Sequence, residues 1–149
     1  EGPGGPRTWM VARWTGVGWS FCRVTESLNN FDCGSLYIED DGTWRIIGPT
    51  EPGPQRWKTG GEVAVWTSRD RGETWEKARL LTQGSPYNHS YVRRPMDADP
   101  GVYALWADGD GNRPSDSRLY FCTKDGAVRV LPRGMKDETA SPERRPLPE

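Results

Sequence analysis

One short polar segment carries most of the side chains that could do chemistry. It contains His89, the only histidine of the chain, followed closely by Tyr91, Arg93 and Arg94. An arginine can hold a carboxylate through two parallel hydrogen bonds, and a tyrosine or a histidine can exchange a proton. His89, Tyr91 and Arg94 are therefore candidate catalytic residues for an acidic substrate, and Arg93 is a candidate substrate-binding residue. In the structural alternative, the arginines pair with nearby acids and His89 caps a loop.

A second group of candidates lies around a loop rich in proline and glycine. Glu51 and Glu62 flank this loop, and Trp57 lies inside it between polar residues. Loops often carry binding residues, and an indole ring can stack on the apolar face of a sugar. We therefore expect these three residues to bind substrate, with a packing role between strands as the alternative for Trp57.

An acidic segment resembles a calcium loop in part. Asp108, Asp110 and Asn112 alternate with glycine, which places oxygen-bearing side chains at every second position. The segment departs from the EF-hand pattern, because Arg113 stands where glycine is needed and Leu119 where a bidentate glutamate belongs. A solvated turn is the favoured interpretation and calcium binding the alternative, so we expect no cofactor.

The composition indicates a folded chain without long helices. Among the 149 residues there are 18 Gly, 13 Pro and 8 Trp. Gly costs about 1 kcal/mol and Pro about 3 kcal/mol inside a helix, whereas large aromatic residues can fill the thin core between strands. The formal net charge is −1, with no basic run and no apolar stretch of roughly 20 residues. These features argue against nucleic acid and a membrane as partners.

Short apolar runs separated by turn residues predict about ten antiparallel strands. An Asp-Gly step between two such runs, as at positions 41–42 and 125–126, is a strong hairpin signal. The predicted hairpins pair residues 7–14 with 19–24, 34–39 with 43–48, 62–67 with 74–81, 91–94 with 102–107, and 117–122 with 127–131. Residues 7–132 then form one β domain, between a flexible lead-in at 1–6 and a charged, proline-rich tail at 133–149 that is predicted to be disordered.

One predicted turn contains five residue types at a fixed spacing: Ser68, Asp70, Gly72, Thr74 and Trp75. The aspartate can accept hydrogen bonds from turn amides, the glycine can take a φ that other residues resist, and the tryptophan can cover the turn. This pattern, S-x-D-x-G-x-T-W over residues 68–75, matches the Asp-box of the BNR-repeat family at every specified position. The five residues are predicted to be structural.

The resemblance to this family extends over residues 34–131. It includes the segments GGEVAVW at 60–66, NHSYVRRP at 88–95 and YALWAD at 103–108. The chain resembles the C-terminal part of a sialidase-like bacterial β-propeller. The resemblance implies an all-β fold of antiparallel four-stranded blades, and about ten strands make roughly two and a half blades, fewer than the four of the smallest propellers. It therefore implies self-association or a longer parent chain, and it favours a secreted or periplasmic location.

The resemblance also implies a class of substrate. Relatives in this broad group include sialidases and polysaccharide lyases that act on acidic glycans. A sialidase needs arginines for the substrate carboxylate, a tyrosine nucleophile and an acidic proton donor. Arg118 and Asp108 have residue types that such a site uses, and we expect them to bind substrate.

Three functions remain open on the sequence. The first is recognition of acidic glycans by a propeller module. The second is glycan degradation, by a polysaccharide lyase or glycosidase with His89, Tyr91 and Arg94 at its site. The third is a non-catalytic structural fragment that assembles with copies of itself.

Overall fold

The computed structural model describes residues 5–28, 34–55, 60–134 and 136–148. Within these ranges the chain forms eleven strands and no helix. The strands are β1 (Arg7–Trp14), β2 (Trp19–Ser27), β3 (Ser35–Ile38), β4 (Trp44–Glu51), β5 (Glu62–Ser68), β6 (Glu76–Leu80), β7 (Asn88–Arg93), β8 (Ala104–Gly109), β9 (Leu119–Cys122), β10 (Val128–Val130) and β11 (Glu143–Arg144). Short alternating apolar runs explain this content, because successive side chains of a strand point to opposite faces.

The strands form three antiparallel sheets in which hydrogen-bonded neighbours are also neighbours in the sequence. β1 and β2 make a two-stranded hairpin, β3 to β6 make a four-stranded sheet, and β7 to β11 make a five-stranded sheet. Every pairing between these strands is antiparallel. The all-β, antiparallel fold predicted from the sequence is therefore confirmed for the described residues.

The central strands of the four-stranded sheet, β4 and β5, carry buried residues on both faces. On β4, Ile46 belongs to a small core with Trp9, Val11 and Val24 of the hairpin. Ile47, the next residue, belongs to the main core, which is built from the four- and five-stranded sheets. Because adjacent residues of a strand point in opposite directions, the four-stranded sheet lies between the other two.

The turn between β5 and β6 is closed by bonds to the carboxylate of Asp70. This carboxylate accepts hydrogen bonds from the backbone N–H groups of Glu73 (3.0 Å) and Thr74 (2.9 Å) and from the hydroxyl groups of Ser68 (2.7 Å) and Thr74. These bonds hold the pKa of Asp70 well below its usual value, and the bond from the Thr74 hydroxyl has the largest effect. Four donors therefore converge on one charged acceptor.

Gly72 and Trp75 complete the same turn. Gly72 has a φ of +84°, and a Cβ at this position would lie 2.9 Å from the ring of Trp44. Its N–H donates to Oγ of Ser68 (2.8 Å), and its carbonyl oxygen accepts from Nε1 of Trp75 (3.1 Å). The left-handed backbone and the close aromatic ring both require glycine here.

An Asp70→Ala substitution is expected to lower the melting temperature by several degrees, because the turn amides and hydroxyls lose their shared acceptor. Thermal unfolding followed by circular dichroism measures the effect. Asp40→Ala is the matched control, since Asp40 is an exposed acid in the turn between β3 and β4. Equal melting temperatures for the two variants would show that the Asp70 bonds do not stabilise the fold.

Part of the segment predicted as a disordered tail forms regular structure. β11 pairs with β10 through Arg129 opposite Arg144 and Val130 opposite Glu143, and the N–H of Arg145 donates to the carbonyl oxygen of Val128 (2.9 Å). A two-residue edge strand is held by backbone bonds, so it needs no apolar alternation in its side chains. This difference matters for function, because it brings Arg145 to the main body of the fold.

Candidate functional site

His89 lies at the centre of a buried polar cluster. β7 and β8 place it opposite Asp108, and the residue is only 1% exposed. The parallel rings of Trp106 and Tyr120 stack with their centroids 5.9 Å apart, and each meets the imidazole edge to face, at 6.3 and 4.8 Å. These two rings therefore fix the orientation of the imidazole and keep water away from it.

The surroundings keep His89 neutral near pH 7. Burial lowers the pKa of His89 to about 4, although the carboxylates of Glu62 and Asp108 act in the opposite direction. The cause is the cost of removing a charged ring from water. The imidazole therefore carries a single ring proton over most of the physiological pH range.

The position of that proton follows from Trp106. An indole N–H can only donate, so Nε1 of Trp106 donates to Nδ1 of His89 (3.1 Å), and the ring proton lies on Nε2. Nε2 then donates to Oγ of Ser85 (2.8 Å), whose hydroxyl donates to Oε2 of Glu62 (2.9 Å). The backbone N–H of Ser85 also donates to Oε1 of Glu62 (2.7 Å). Neither imidazole nitrogen has a free lone pair with which to take a proton from a substrate.

Asp108 closes the cluster on the side of β9. Its Oδ1 accepts from the backbone N–H of Arg118 (2.7 Å), and its Oδ2 accepts from the hydroxyl of Tyr120 (2.7 Å). The guanidinium of Arg118 lies 3.6 Å from the same carboxylate and over the ring of Tyr120. Burial raises the pKa of Tyr120 and the bond to Asp108 raises it further, whereas a hydrogen bond with the Arg145 side chain acts in the opposite direction. The Tyr120 hydroxyl therefore stays protonated, and Arg118 is already paired.

A cavity of about 130 Å³ lies beside this cluster. It is lined by the loop at 81–86, which joins β6 to β7, and by His89, Tyr120, Arg145 and Pro146. Its volume admits several water molecules or one polar group of a larger ligand. Within the described part of the chain, the guanidinium of Arg145 has no carboxylate within 4.0 Å. The cavity thus combines an aromatic ring, polar groups and a positive charge without a carboxylate partner among the described residues.

The loop between β4 and β5 is hydrogen-bonded to Asn88 and His89 of β7. The side chain of Asn88 and the backbone of Gln55 bind each other twice, through Gln55 N–H to Oδ1 (3.0 Å) and Nδ2 to the Gln55 carbonyl (2.8 Å). Gly61 and His89 exchange two backbone hydrogen bonds of 2.9 Å. Side chains at Gly60 and Gly61 would collide with backbone oxygens at 2.1 and 2.0 Å. Gly60 is therefore needed so that the loop can approach β7 this closely, and Gly61 so that it can approach the end of β4 at Glu51.

Four of the residues predicted from the sequence come together here: His89, Glu62, Asp108 and Arg118. Glu51 does not join them, because its carboxylate is 2.8 Å from Nζ of Lys77. Trp57 lies outside the described residues, so its predicted role stays a prediction.

Tyr91, Arg93 and Arg94 do not reach His89, although they follow it closely in the chain. The register of β7 shifts after Ser90, and Tyr91 takes a φ of 57° with its side chain exposed. Arg93 stacks over the ring of Tyr91, and Arg94 stacks over a ring on β3 at 4.9 Å. The predicted trio of His89, Tyr91 and Arg94 is therefore not assembled. The bulge breaks the alternation that would place Tyr91 on the face of His89, and Arg94 packs against β3.

The oxygens considered for calcium are engaged by protein groups. Asp110 accepts from the backbone N–H of Asn112 (2.8 Å) and from Nε of Arg113 (3.0 Å), whereas Asp108 faces Tyr120. Among the described residues, no group of three or more His, Cys, Asp or Glu side chains is arranged to hold a metal ion. The same part of the chain contains no helix with the length and hydropathy needed to cross a membrane.

Sequence reasoning missed Ser85, Trp106 as a hydrogen-bond donor, Tyr120 and Arg145. Tyr120 had a usable signal, because it lies two residues after Arg118 and shares its face of a strand. Ser85 and Arg145 had none, since one lies in a polar loop and the other in a charged segment without apolar periodicity.

Comparison of this chain with protein-family models, with curated proteins and with solved structures finds no match. The functional argument therefore rests on the arrangement of the site.

Proposed function

We propose that this chain is a carbohydrate-recognising module of the sialidase-like, BNR-repeat propeller type, and that it binds an acidic sugar unit at the cavity beside His89. The observation that carries the proposal is Arg145, which lines the cavity, is hydrogen-bonded through its side chain to Tyr120, and has no carboxylate within 4.0 Å among the described residues. A carboxylate is the natural partner for such a group, because a guanidinium can grip it with two hydrogen bonds.

The chemistry of the cavity wall supports a sugar as the carrier of that carboxylate. Tyr120 contributes an aromatic edge, Ser85 a hydroxyl group, and the loop at 81–86 its backbone polar groups. Sugar recognition uses this combination of ring contacts and short polar contacts. The cavity holds the acidic end of the sugar, and the rest of a glycan extends over the surface.

Two features of the fold support a propeller piece. Each of the two larger sheets is an antiparallel meander of at least four strands, as propeller blades are. The Asp-box lies in the turn between the third and fourth strands of the four-stranded sheet. In sialidases this motif lies away from the active face, and here it begins at Ser68, the opposite end of β5 from Glu62, which belongs to the His89 cluster.

The hydrogen bonds at His89 favour a ligand-binding role for this site over a catalytic role. A general base must have a free lone pair within reach of the proton that it removes. Nδ1 of His89 accepts from Trp106, and Nε2 is the donor to Ser85. The arrangement also opposes a Ser–His hydrolase, because the serine accepts from the histidine instead of donating to it. His89 therefore serves to hold the cavity wall in place.

An Arg145→Gln variant is expected to bind glucuronate at least about tenfold more weakly than the wild type, because a charge-assisted bond is replaced by a neutral one. Titration followed by NMR chemical shifts measures binding in the millimolar range. Arg144→Gln is the matched control, since Arg144 is the exposed neighbour on β11 and does not line the cavity.

Glucose serves as the neutral ligand in the same titration. Binding of glucose as tightly as glucuronate would overturn the preference for acidic sugars. No saturation by glucuronate, N-acetylneuraminate or their oligomers up to about 100 mM would overturn the carbohydrate function itself, because sugar sites of single modules bind well within this range.

A further inference from the structure

The β1–β2 hairpin has one buried face and one apolar face that the described residues of the chain leave open. The buried face carries Trp9, Val11 and Val24 against β4. Strand alternation and cross-strand pairing place five side chains on the open face. We call this group the hairpin strip, and its members are Met10, Ala12, Trp14, Trp19 and Phe21.

The exposure of the hairpin strip is unusual for large apolar side chains. Met10 is 55% exposed, Trp14 56%, Trp19 62% and Phe21 65%. Single exposed apolar residues are common on protein surfaces, but a contiguous row of aromatic side chains marks an interaction surface. The strip follows one pair of strands, with Trp14 opposite Trp19 and Ala12 opposite Phe21.

The geometry of the two tryptophans argues against a sugar as the occupant. Their rings meet edge to face, at 62° with centroids 5.6 Å apart, so they do not offer one flat platform. The strip itself contains no hydrogen-bonding side chain other than the two indole N–H groups. A sugar would have to bury hydroxyl groups there without partners, which costs free energy.

The area that two hairpin strips would bury against each other is close to that of a specific protein–protein interface. An aromatic side chain can bury about 150–250 Å², so at these exposures the three aromatic residues and Met10 offer roughly 450 Å². Two strips packed face to face would bury roughly 900 Å², and the edges of the hairpins bring this near the ~1,000 Å² of a specific interface.

A two-fold arrangement also suits the ends of the strip. Arg23 lies opposite Met10 on the open face of the hairpin, with its side chain 60% exposed and 3.0 Å from the carboxylate of Glu26. When two strips cross in opposite directions, this guanidinium comes over the tryptophan pair of the other copy. An arginine over an indole face is a favourable contact, so the strip complements itself.

We propose that the hairpin strip is the contact surface of a two-fold symmetric dimer of this chain. The dimer is independent of the glycan site, because the strip is on the hairpin and the His89 cavity lies between the four- and five-stranded sheets. This area is at the low end for specific interfaces, where weak complexes lie, so we expect a dissociation constant in the micromolar range.

Sedimentation equilibrium between about 1 and 200 µM tests the proposal, since this range spans a micromolar dissociation constant. The wild type is expected to approach twice the mass of one chain as concentration rises. Trp19→Ser is expected to weaken the dimer at least about tenfold. Phe21→Ser is the second variant, because Phe21 makes no ring contact with either tryptophan and its loss leaves the hairpin turn intact. Circular dichroism confirms that both variants fold.

Met96→Ser is the matched control, since Met96 is 95% exposed and lies outside the strip. It should dimerise like the wild type. A single-chain mass throughout the concentration range would overturn the proposal, as would dimers that Trp19→Ser and Phe21→Ser leave unchanged. Loss of vesicle or polysaccharide binding in these variants without a change in mass would assign the strip to that other occupant. Phe21→Ser is also titrated with glucuronate and should bind it like the wild type. This result would separate the test of the hairpin strip from the test of the cavity.

Discussion

A Gly61→Ala variant is expected to lose more than about 3 kcal/mol of the free energy of unfolding. A methyl group at this position would lie 2.0 Å from the carbonyl oxygen of Glu51, well inside any tolerated contact. The backbone cannot move away at low cost, because Gly61 exchanges two hydrogen bonds with His89. Denaturant unfolding followed by tryptophan fluorescence measures the loss.

Gly18→Ala is the control for this substitution. Gly18 lies in the hairpin turn, has no positive φ, and a Cβ there would meet nothing within 4 Å. Its stability should stay within about 0.5 kcal/mol of the wild type, because a surface change without a clash has little effect. Equal stabilities for the two variants would mean that Gly61 does not approach the Glu51 carbonyl oxygen as described.

Lowering the pH from 7 to 5 is expected to reduce the free energy of unfolding by about 2 kcal/mol through His89 alone. The pKa of His89 is about 4 in the folded chain and 6.5 for an ordinary histidine, so the unfolded chain takes up the proton first. This contribution to stability is complete above pH 6.5 and is lost as the pH falls towards 4. Denaturant unfolding at several pH values measures the slope.

His89→Asn separates this effect from the titration of carboxylates. Asparagine can accept from Trp106 with Oδ1 but cannot take up a proton. The variant should be less stable at pH 7, because Ser85 loses its donor, and its stability should hardly change between pH 7 and 5. His89 is the only histidine of the chain, so no second imidazole contributes in this window. The same slope in both proteins would show that His89 is not its source.

The sheets could be predicted largely from local sequence, because most strands pair across short turns. Asp41-Gly42 joins β3 to β4, and the Asp-box joins β5 to β6, each with its own turn chemistry. β11 could not be predicted in this way. It is held by backbone hydrogen bonds to the edge of β10, and these require no particular pattern of side chains.

The site could be predicted only in part, for reasons that lie in strand geometry. His89 was found as the only histidine in a polar segment, Glu62 because it flanks the loop rich in proline and glycine, and Asp108 as an acidic residue of the type that a sialidase-like site uses. The grouping with Tyr91 failed because alternation was assumed through a bulge. Arg145 reaches the cavity from about 56 positions further along the chain, and no rule of local spacing relates it to His89.

The order of strands within the sheets also bears on how the chain folds. Every hydrogen-bonded neighbour in the three sheets is the adjacent strand in the sequence. Each sheet can therefore close short loops one after another as the chain leaves the ribosome, without waiting for a distant segment. The last two-residue strand closes the longest gap between paired strands. The positive charge of Arg145 thus reaches the cavity only when the rest of the five-stranded sheet is in place, so that ligand binding reports the completion of folding.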